Sequence, residues 1–313
     1  MDDASAPLRR VLVIKLGALG DFVQAMAPAA AIRGFHRAAT ITLLTTPPFA
    51  ELARAAPYFD QVWIDERPGA TDLLGLWRLR RRLIDGDFGR VYDLQTSDRS
   101  SFYFHLMGPG RRPEWSGIAW GASHPHSNPD RDYLHTLDRQ AEQLRLANIA
   151  VVPPLDLSWA ARDITHFGLP ASLLLLVPGA SPHRPQKRWP VERFADLGRR
   201  AAELGVTPVI VGGSAEAALA SAIVAQCPQA RDLTGKTHLG DLVALGAQAL
   251  HAVGNDTGPM HLIVAGGAPT TILYSAASDP ALTAPRGLHV TILRREDLNM
   301  LGVEEVAATL SFG

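Results

Sequence analysis

One stretch of this 313-residue chain combines the side-chain types that suit an anion: residues 253–262, which read VGNDTGPMHL. It contains an acid (Asp256), a hydroxyl (Thr257), a glycine (Gly258) and an imidazole (His261), and small and apolar residues of helical character follow. Since a helix N-terminus offers unpaired N–H groups and the positive end of a dipole, a phosphate would be stabilised here. The alternative is a capped turn between a strand and a helix that binds nothing, with Asp256 or Thr257 as the N-cap.

A second loop carries basic side chains at residues 177–190, which read VPGASPHRPQKRWP. Lys187 suits a phosphate as a point charge, and Arg184 or Arg188 could bind one as a fork. Ser181 adds a hydroxyl to the same loop. The alternative interpretation is an ordinary solvated basic turn.

Two further loops contain glycines followed by an acid. The first, GALGD, has Gly17 and Gly20, which let the backbone approach a ligand, and ends in Asp21 at a helix start. It is neither a Walker loop nor a dinucleotide fingerprint, because no Lys-Ser/Thr pair follows and the first tight-turn glycine is missing. Asp21 could equally be an N-cap. The second, GGSAE, ends in Glu216, which could accept a hydrogen bond from a ribose hydroxyl or simply favour a helix N-terminus.

The elements that must position these loops alternate between strands and helices, which predicts parallel sheets covered on both faces. Ligands bind beyond the carboxyl ends of such strands, where all four loops fall. Strands are predicted at 8–16, 40–44, 61–64, 90–94, 173–177, 207–211, 230–233, 249–253, 270–274 and 289–293. Helices are predicted at 22–35, 49–56, 73–84, 133–147, 191–204, 215–225, 239–248, 260–267 and 303–310.

Between the predicted strand at 90–94 and the helix at 133–147, the pattern loosens into a stretch rich in Pro, Gly, His, Trp and Arg. That composition favours a binding loop over a flexible linker. The sequence VVPPL at 151–155 is the boundary signal. We therefore expect two domains, 1–155 and 156–313.

Composition restricts the kind of function. The net charge of −1 gives no overall attraction to nucleic acid or to an anionic membrane. One cysteine, Cys227, excludes an internal disulfide framework and fits a reducing compartment. No apolar run reaches the length of a membrane span or a signal-peptide core, so we expect a cytoplasmic protein.

Motifs for metal or serine chemistry are weak. There is no H-E-x-x-H pattern and no G-x-S-x-G elbow. Two D-x-D patterns, at 85–87 and 130–132, do not follow convincing strands, and two-residue patterns recur by chance. We expect no metal site and no cofactor.

With these pieces in order, nearly the whole chain resembles glycosyltransferase family 9, the bacterial heptosyltransferase-like enzymes of lipopolysaccharide assembly. The resemblance rests on five motifs in the family's order: VIKLGALGD at 13–21, DLQTS at 93–97, PGA at 178–180 with KRWP at 187–190, GGSAE at 212–216, and GNDTGPMHL at 254–262. Together they are far more specific than any one alone.

The resemblance implies a GT-B architecture, an α/β fold in which two Rossmann-like domains with parallel sheets face a central cleft. The N-terminal domain would bind the acceptor and the C-terminal domain the nucleotide-sugar donor, and the last helix is free to pack back on the N-terminal domain. It also implies inverting transfer without an essential metal, in which Asp21 takes the proton from the acceptor hydroxyl. Carried over by position, the donor residues are Ser181, Lys187, Glu216, Asp256, Thr257, Gly258 and His261.

The identity of the sugar stays open at this point. ADP-heptose is the first guess for the donor, and a saccharide or lipopolysaccharide-core glycolipid is the expected acceptor. Where family members often carry Phe-Gly-Pro-Thr, this chain has YSAASDP at 274–280, so the donor could differ. Peripheral contact with the inner membrane, through the face that carries residues 78–82, is compatible with a lipid acceptor. The alternatives are a GT-B-fold sugar-nucleotide epimerase and a catalytically silent sugar-nucleotide-binding protein.

Overall fold

The computed structural model describes residues 9–108, 112–181 and 183–312. The first residue of the predicted strand at 8–16 and residues 109–111 of the predicted binding loop lie outside the described residues. The chain divides into two compact units, Met1–Leu155 and Asp156–Gly313. Each unit is described by itself.

The first unit is a doubly wound α/β fold with a fully parallel six-stranded sheet of order β3-β2-β1-β4-β5-β6. Its strands are β1 (Arg10–Ile14), β2 (Thr40–Thr45), β3 (Gln61–Ile64), β4 (Arg90–Asp93), β5 (Glu114–Gly117) and β6 (His124–Pro125). Its helices are α1 (Leu19–Gln24), α2 (Met26–Phe35), α3 (Ala50–Ala55), α4 (Leu73–Asp85), α5 (Asp98–Leu106) and α6 (Thr136–Leu146). The strand order reverses between β1 and β4, which makes the carboxyl ends of these two strands the expected binding edge.

The predicted strands and helices before residue 95 are confirmed to within a few residues, but the stretch after β4 is more ordered than expected. It contains α5, β5 and β6, which the sequence analysis missed. Ser97 is the N-cap of α5 and forms a reciprocal capping box with Ser100. Trp115 on β5 is fully buried against Phe104. These elements are short and have no clear apolar period, so periodicity does not predict them. Burial of a large side chain, that of Trp115, orders them instead.

The second unit repeats the architecture with the sheet order β12-β11-β10-β7-β8-β9, again fully parallel. Its strands are β7 (Leu173–Val177), β8 (Thr207–Ile210), β9 (Arg231–Asp232), β10 (His251–Asn255), β11 (Thr270–Tyr274) and β12 (Val290–Arg294). Its helices are α7 (Val191–Glu203), α8 (Ala217–Gln226), α9 (Leu239–Gln248), α10 (Gly258–Gly266), α11 (Pro280–Thr283) and α12 (Val303–Ala307). The order reverses between β7 and β10, so the loops after these two strands meet at the switch point.

The last helix packs within the second unit. Val306 on α12 is fully buried in that unit's core, and Arg200 on α7 forms two hydrogen bonds to Glu304, of 2.7 and 2.5 Å. The option that this helix packs back on the N-terminal domain stays a prediction. None of the helices in the described ranges is long and apolar enough to cross a membrane.

Candidate active site

The glycine loop after β1 brings Asp21 to the switch point of the first unit. Gly17 has a φ of +133°, and a Cβ there would lie 3.0 Å from the Phe49 ring, so the turn needs glycine. The loop enters α1, with Asp21 in its first turn and half-buried. The N-cap of α1 is Ala18, which has no side-chain cap bond, so Asp21 is not the N-cap residue.

A buried lysine lies beneath this acid. Lys15 directly follows β1, is 4% exposed and donates from Nζ to the Leu94 carbonyl oxygen at 3.2 Å. Burial lowers the pKa of Lys15, while the charges of Asp21 and Asp93 act in the opposite direction. Lys15, Asp21 and Arg139 line a polar cavity of about 60 Å³. The cavity therefore brings one half-buried carboxylate together with two basic side chains.

Asp93 ends β4 as a fully buried carboxyl group. Its Oδ1 accepts hydrogen bonds from the backbone N–H groups of Gln95 and Thr96, at 3.1 and 2.9 Å. Burial raises the pKa of Asp93 to about 6, although these bonds and Lys15 oppose the rise. The DLQTS motif thus shapes the wall of the cavity that holds Asp21, a role that the sequence analysis did not assign.

Because the pKa of Asp93 is raised in the folded state, ionisation of this group opposes folding. Its favourable contribution is present below the ordinary pKa of 3.8 and is lost as the pH rises through about 6. Asp93→Asn keeps the acceptor oxygen but cannot ionise. As the pH rises from 3.5 to 7.5, we expect the free energy of unfolding of the variant to increase by about 3 kcal/mol relative to that of the wild type. Urea unfolding at both pH values measures the gain, and a pH-independent difference would contradict the argument.

In the second unit the basic loop and β10 meet through an ion pair. Lys187 Nζ lies 2.5 Å from Asp256 Oδ2, and each side chain is only 11% exposed. Ser278 donates a second hydrogen bond to the same oxygen, at 2.7 Å. A lysine and an acid that were predicted from separate motifs are therefore in direct contact at the switch point.

Asn255 fixes the position of the basic loop. This fully buried residue accepts a hydrogen bond from the Trp189 backbone N–H at 2.9 Å and donates to the Pro178 carbonyl oxygen at 2.8 Å. Trp189 in turn donates from its indole to the Leu301 carbonyl oxygen at 2.9 Å. Asn255 was missed as a positioning residue, although an amide at the end of a buried strand was the available signal.

The N-terminus of α10 opens beside the ion pair. Thr257 is the N-cap residue, but neither its hydroxyl nor another side chain caps the helix, and Gly258 begins the first turn half-exposed. A Cβ at Gly254 would lie 2.5 Å from the Met260 sulfur, so close packing requires glycine below the turn. His261 is 6% exposed, one turn inside the helix. Thr257 is thus the N-cap that the alternative interpretation allowed, without a side-chain cap bond, and anion binding at this turn stays a prediction. Pro259 has no N–H and the Met260 N–H donates to the Thr257 carbonyl oxygen at 3.2 Å, so the Gly258 N–H is the group at the helix start that suits an anion.

Glu216 and Ser181 occupy the same edge of the second sheet. Glu216 accepts a hydrogen bond from the Gly213 N–H at 2.8 Å. Its Cγ lies 2.8 Å from where a Cβ of Gly179 would be, so glycine is needed for this approach. Ser181 is exposed, and its carbonyl accepts from Arg184 N at 2.9 Å. Glu216 therefore makes the contact at a helix N-terminus that was the simpler of its two predicted roles. It also borders the loop after β7.

The acids of the D-x-D patterns have other neighbours. Asp132 pairs with Arg131 at 2.8 Å, and Asp85 lies 3.5 Å from Arg81. Within the ranges that the structure describes, no three His, Cys, Asp or Glu side chains form a group that could hold a metal ion.

Two doubly wound units, with an open helix N-terminus and a lysine at the switch point of the second, define the class of the protein: a Rossmann-type α/β protein of the GT-B kind. The family model "Glycosyltransferase family 9 (heptosyltransferase)" matches residues 76–307. The chain belongs to this family and is a glycosyltransferase, and membership does not favour the epimerase alternative.

Individual relatives agree with this assignment. The chain is 24% identical over 298 residues to the lipopolysaccharide core heptosyltransferase OpsX of Haemophilus influenzae, covering 88% of this chain and 82% of that protein. It superimposes with a TM-score of 0.83 on a family 9 glycosyltransferase from Veillonella parvula DSM 2008, at 21% identity, over 96% of this chain and 95% of that one. The E. coli ADP-heptose lps heptosyltransferase II gives a TM-score of 0.77 at 21% identity, over 96% and 97%. The resemblance stated from the motifs is confirmed.

Proposed function

We propose that this protein is an inverting, metal-independent heptosyltransferase. It moves heptose from ADP-heptose to a saccharide or lipopolysaccharide-core acceptor. The single observation that carries the proposal is the contact of Lys187 with Asp256 beside the open N-terminus of α10. One compact site then offers a cation, a helix N–H group and a hydrogen-bond acceptor, which a nucleotide sugar needs at its diphosphate and its sugar.

The leaving diphosphate is stabilised by Lys187 and by the Gly258 N–H at the start of α10, with the Thr257 hydroxyl next to it. Negative charge on the leaving group grows as the glycosidic bond breaks, so preorganised donors lower the barrier. Lys187 exchanges part of its contact with Asp256 for the phosphate, and the released Asp256 oxygen accepts from a sugar hydroxyl. Ser278 keeps Asp256 in place during this exchange, since it bonds to the same carboxylate.

The remaining donor contacts follow the edge of the sheet. Glu216 accepts from a ribose hydroxyl, supported by its place beside Gly179, and Ser181 adds a hydroxyl in the loop after β7. His261 is nearly buried. We propose that it supports the phosphate-binding turn from below and reaches the ligand only with its exposed edge.

Asp21 acts as the general base in the first unit. It removes the proton from the acceptor hydroxyl while that oxygen attacks the anomeric carbon, and the diphosphate leaves from the opposite face, which inverts the configuration. The support is the half-buried position of Asp21 in a polar cavity with Lys15 and Arg139. Gly17 and Gly20 let the acceptor approach the loop.

The choice of ADP-heptose rests on similarity. A solved structure that superimposes over 96% of this chain is described as an ADP-heptose lps heptosyltransferase, and a relative over 88% of it as a lipopolysaccharide core heptosyltransferase. We propose the same donor and acceptor class here, with the enzyme in the cytoplasm at the inner face of the membrane. Nucleic acid is not a proposed partner.

A thermal-shift screen with ADP, UDP and GDP tests the nucleotide. ADP at 100 times its dissociation constant should stabilise the protein by about 2.7 kcal/mol, which is a clear rise in Tm. UDP and GDP at the same concentration should give a smaller rise. A larger shift with UDP or GDP would assign the donor to another base and would contradict the choice of ADP-heptose.

Chelation tests the metal-free part of the proposal. Since Lys187 and the α10 N-terminus neutralise the diphosphate in this account, EDTA should leave the transfer rate within about twofold of the untreated enzyme. The rate is followed as ADP release with acceptor present. A loss of activity that added Mg²⁺ restores would contradict the metal-independent mechanism.

A further inference from the structure

The outward face of α4 exposes large apolar side chains next to arginines. Leu73 is 75% exposed, Leu74 56% and Trp77 53%, whereas Leu79 and Leu83 on the opposite face are buried in the core. At 100° per residue, Leu73, Trp77 and Arg81 form one line along the helix, with Leu74 and Arg78 beside it. Exposed leucines and a tryptophan on one face need an explanation that packing within the unit does not give.

The four arginines of α4 fall into two pairs. Arg80 donates to the Leu106 carbonyl oxygen at 3.0 Å, and Arg82 donates to the Ile64 carbonyl oxygen at 3.1 Å and stacks over Trp63. These two anchor the helix on the unit. Arg78 and Arg81 are exposed, and Arg81 lies 5.4 Å above the Trp77 ring, with Asp85 at 3.5 Å. The second pair therefore faces solvent, and Arg81 shares its charge with one exposed carboxylate, that of Asp85.

A groove continues this face. It has a volume of about 370 Å³ and is lined by two tryptophans, four arginines and the end of α4: Arg10, Trp63, Trp77, Arg78, Arg81, Arg82, Asp85 and Gly86. Aromatic rings with arginines over their faces match the boundary between phosphate headgroups and acyl chains, where tryptophan rings sit and arginine reaches the phosphates. The net charge of the whole chain is −1, so attraction to an anionic surface must come from this local patch.

We propose that the outward face of α4 is a peripheral docking surface for an anionic lipid bilayer. Leu73, Leu74 and Trp77 enter the headgroup region, and Arg78 and Arg81 bind lipid phosphates. Helices that lie in the membrane interface usually expose Leu and Trp beside Arg, as α4 does. Three apolar side chains are too few for a stable protein interface, which buries about 800 Å² on each partner. The inference uses the proposed function only in that a glycolipid acceptor would lie in the same bilayer.

Vesicle co-sedimentation of the full chain tests the docking surface without any transfer reaction. Vesicles of phosphatidylglycerol and phosphatidylcholine should bind the protein at least tenfold better than pure phosphatidylcholine vesicles, and added salt should weaken binding. Arg78→Glu with Arg81→Glu should remove at least tenfold of the affinity. Trp77→Ser removes an inserting side chain and leaves the charge unchanged. It should reduce vesicle binding at low salt and abolish the part of the binding that persists at high salt.

The matched control changes two exposed arginines outside α4, Arg37→Glu with Arg231→Glu, and shifts the net charge by the same amount. It should bind vesicles within about twofold of the wild type. The midpoint of thermal unfolding without ligand should be the same in all variants, which shows that each is folded. Equal loss in the α4 and control variants, or no preference of the wild type for phosphatidylglycerol, would overturn the proposal. Neither result depends on whether ADP-heptose is the donor.

Discussion

Replacing Asp21 with alanine should lower the rate of sugar transfer by 10²- to 10⁴-fold, the usual contribution of a general base. The acceptor hydroxyl would then attack without losing its proton to a carboxylate. Affinity for ADP should stay within about twofold of the wild type, because the proposed phosphate-binding groups lie in the second unit. Steady-state kinetics with a saturating donor, together with ADP titration by calorimetry, measure the two quantities.

Asp98→Ala is the matched control for this variant. Asp98 also lies in the first turn of a helix, α5, which follows the strand next to β1, and it is exposed. A purely local effect of an acid at a helix start would affect both variants alike, by a few tenths to about 1 kcal/mol of stability. Retention of most of the turnover in the Asp21 variant would remove Asp21 from the chemistry.

Lys187→Ala should weaken ADP binding by roughly 10- to 100-fold, since a charge-assisted hydrogen bond contributes about 1.5–3 kcal/mol. The loss has a second cause. Without the lysine, the carboxylate of Asp256 has lost its cation and repels the incoming diphosphate. ADP titration by calorimetry measures the affinity directly.

Two comparisons separate these causes. The double variant Lys187→Ala with Asp256→Asn removes the uncompensated charge as well, so it should recover part of the lost affinity. Lys236→Ala alters an exposed lysine of the same unit that donates to the Asp232 carbonyl oxygen, and it should leave ADP affinity unchanged. An unaltered affinity in Lys187→Ala would exclude this lysine from the donor site.

The strands and their ends were predictable because parallel strands buried on both faces are continuous apolar runs. The run at 173–177 is the strand Leu173–Val177, and the one at 270–274 is Thr270–Tyr274. Once strand ends are known, the loops that follow them must share one edge of a sheet. This is why Lys187 and Asp256, 69 positions apart in sequence, could be placed in one predicted site before their contact was known.

The region after β4 was not predictable in the same way. Its helix α5 and strand β5 are short, and their order depends on long-range burial of Trp115 and Tyr103. A tryptophan in a stretch of Pro, Gly and Arg is equally compatible with an exposed binding loop. Trp120, which is 87% exposed, shows that such a residue can lie outside the core nearby.

The residues that hold the site loops in position were also not predicted from the sequence. Asn255, Ser278 and Lys15 act through hydrogen bonds to atoms far away in sequence, and no local pattern distinguishes them from ordinary polar residues. Their partners are backbone carbonyls, a backbone N–H group and the carboxylate of Asp256. Geometry alone reveals such contacts, because spacing in sequence predicts which loops meet but not which side chains hold them in place.

We propose that Lys187 and its neighbours hold the donor and that Asp21 is the base of the transfer. The most direct test incubates the protein with ADP-heptose in the presence and absence of a heptose-free lipopolysaccharide-core acceptor, and quantifies ADP and glycosylated acceptor by chromatography and mass spectrometry. We predict equal amounts of the two products, formed only when acceptor is present. With Asp21→Ala they should form 10²- to 10⁴-fold more slowly. Consumption of donor without acceptor, or donor binding with no glycosylated acceptor, would contradict the account.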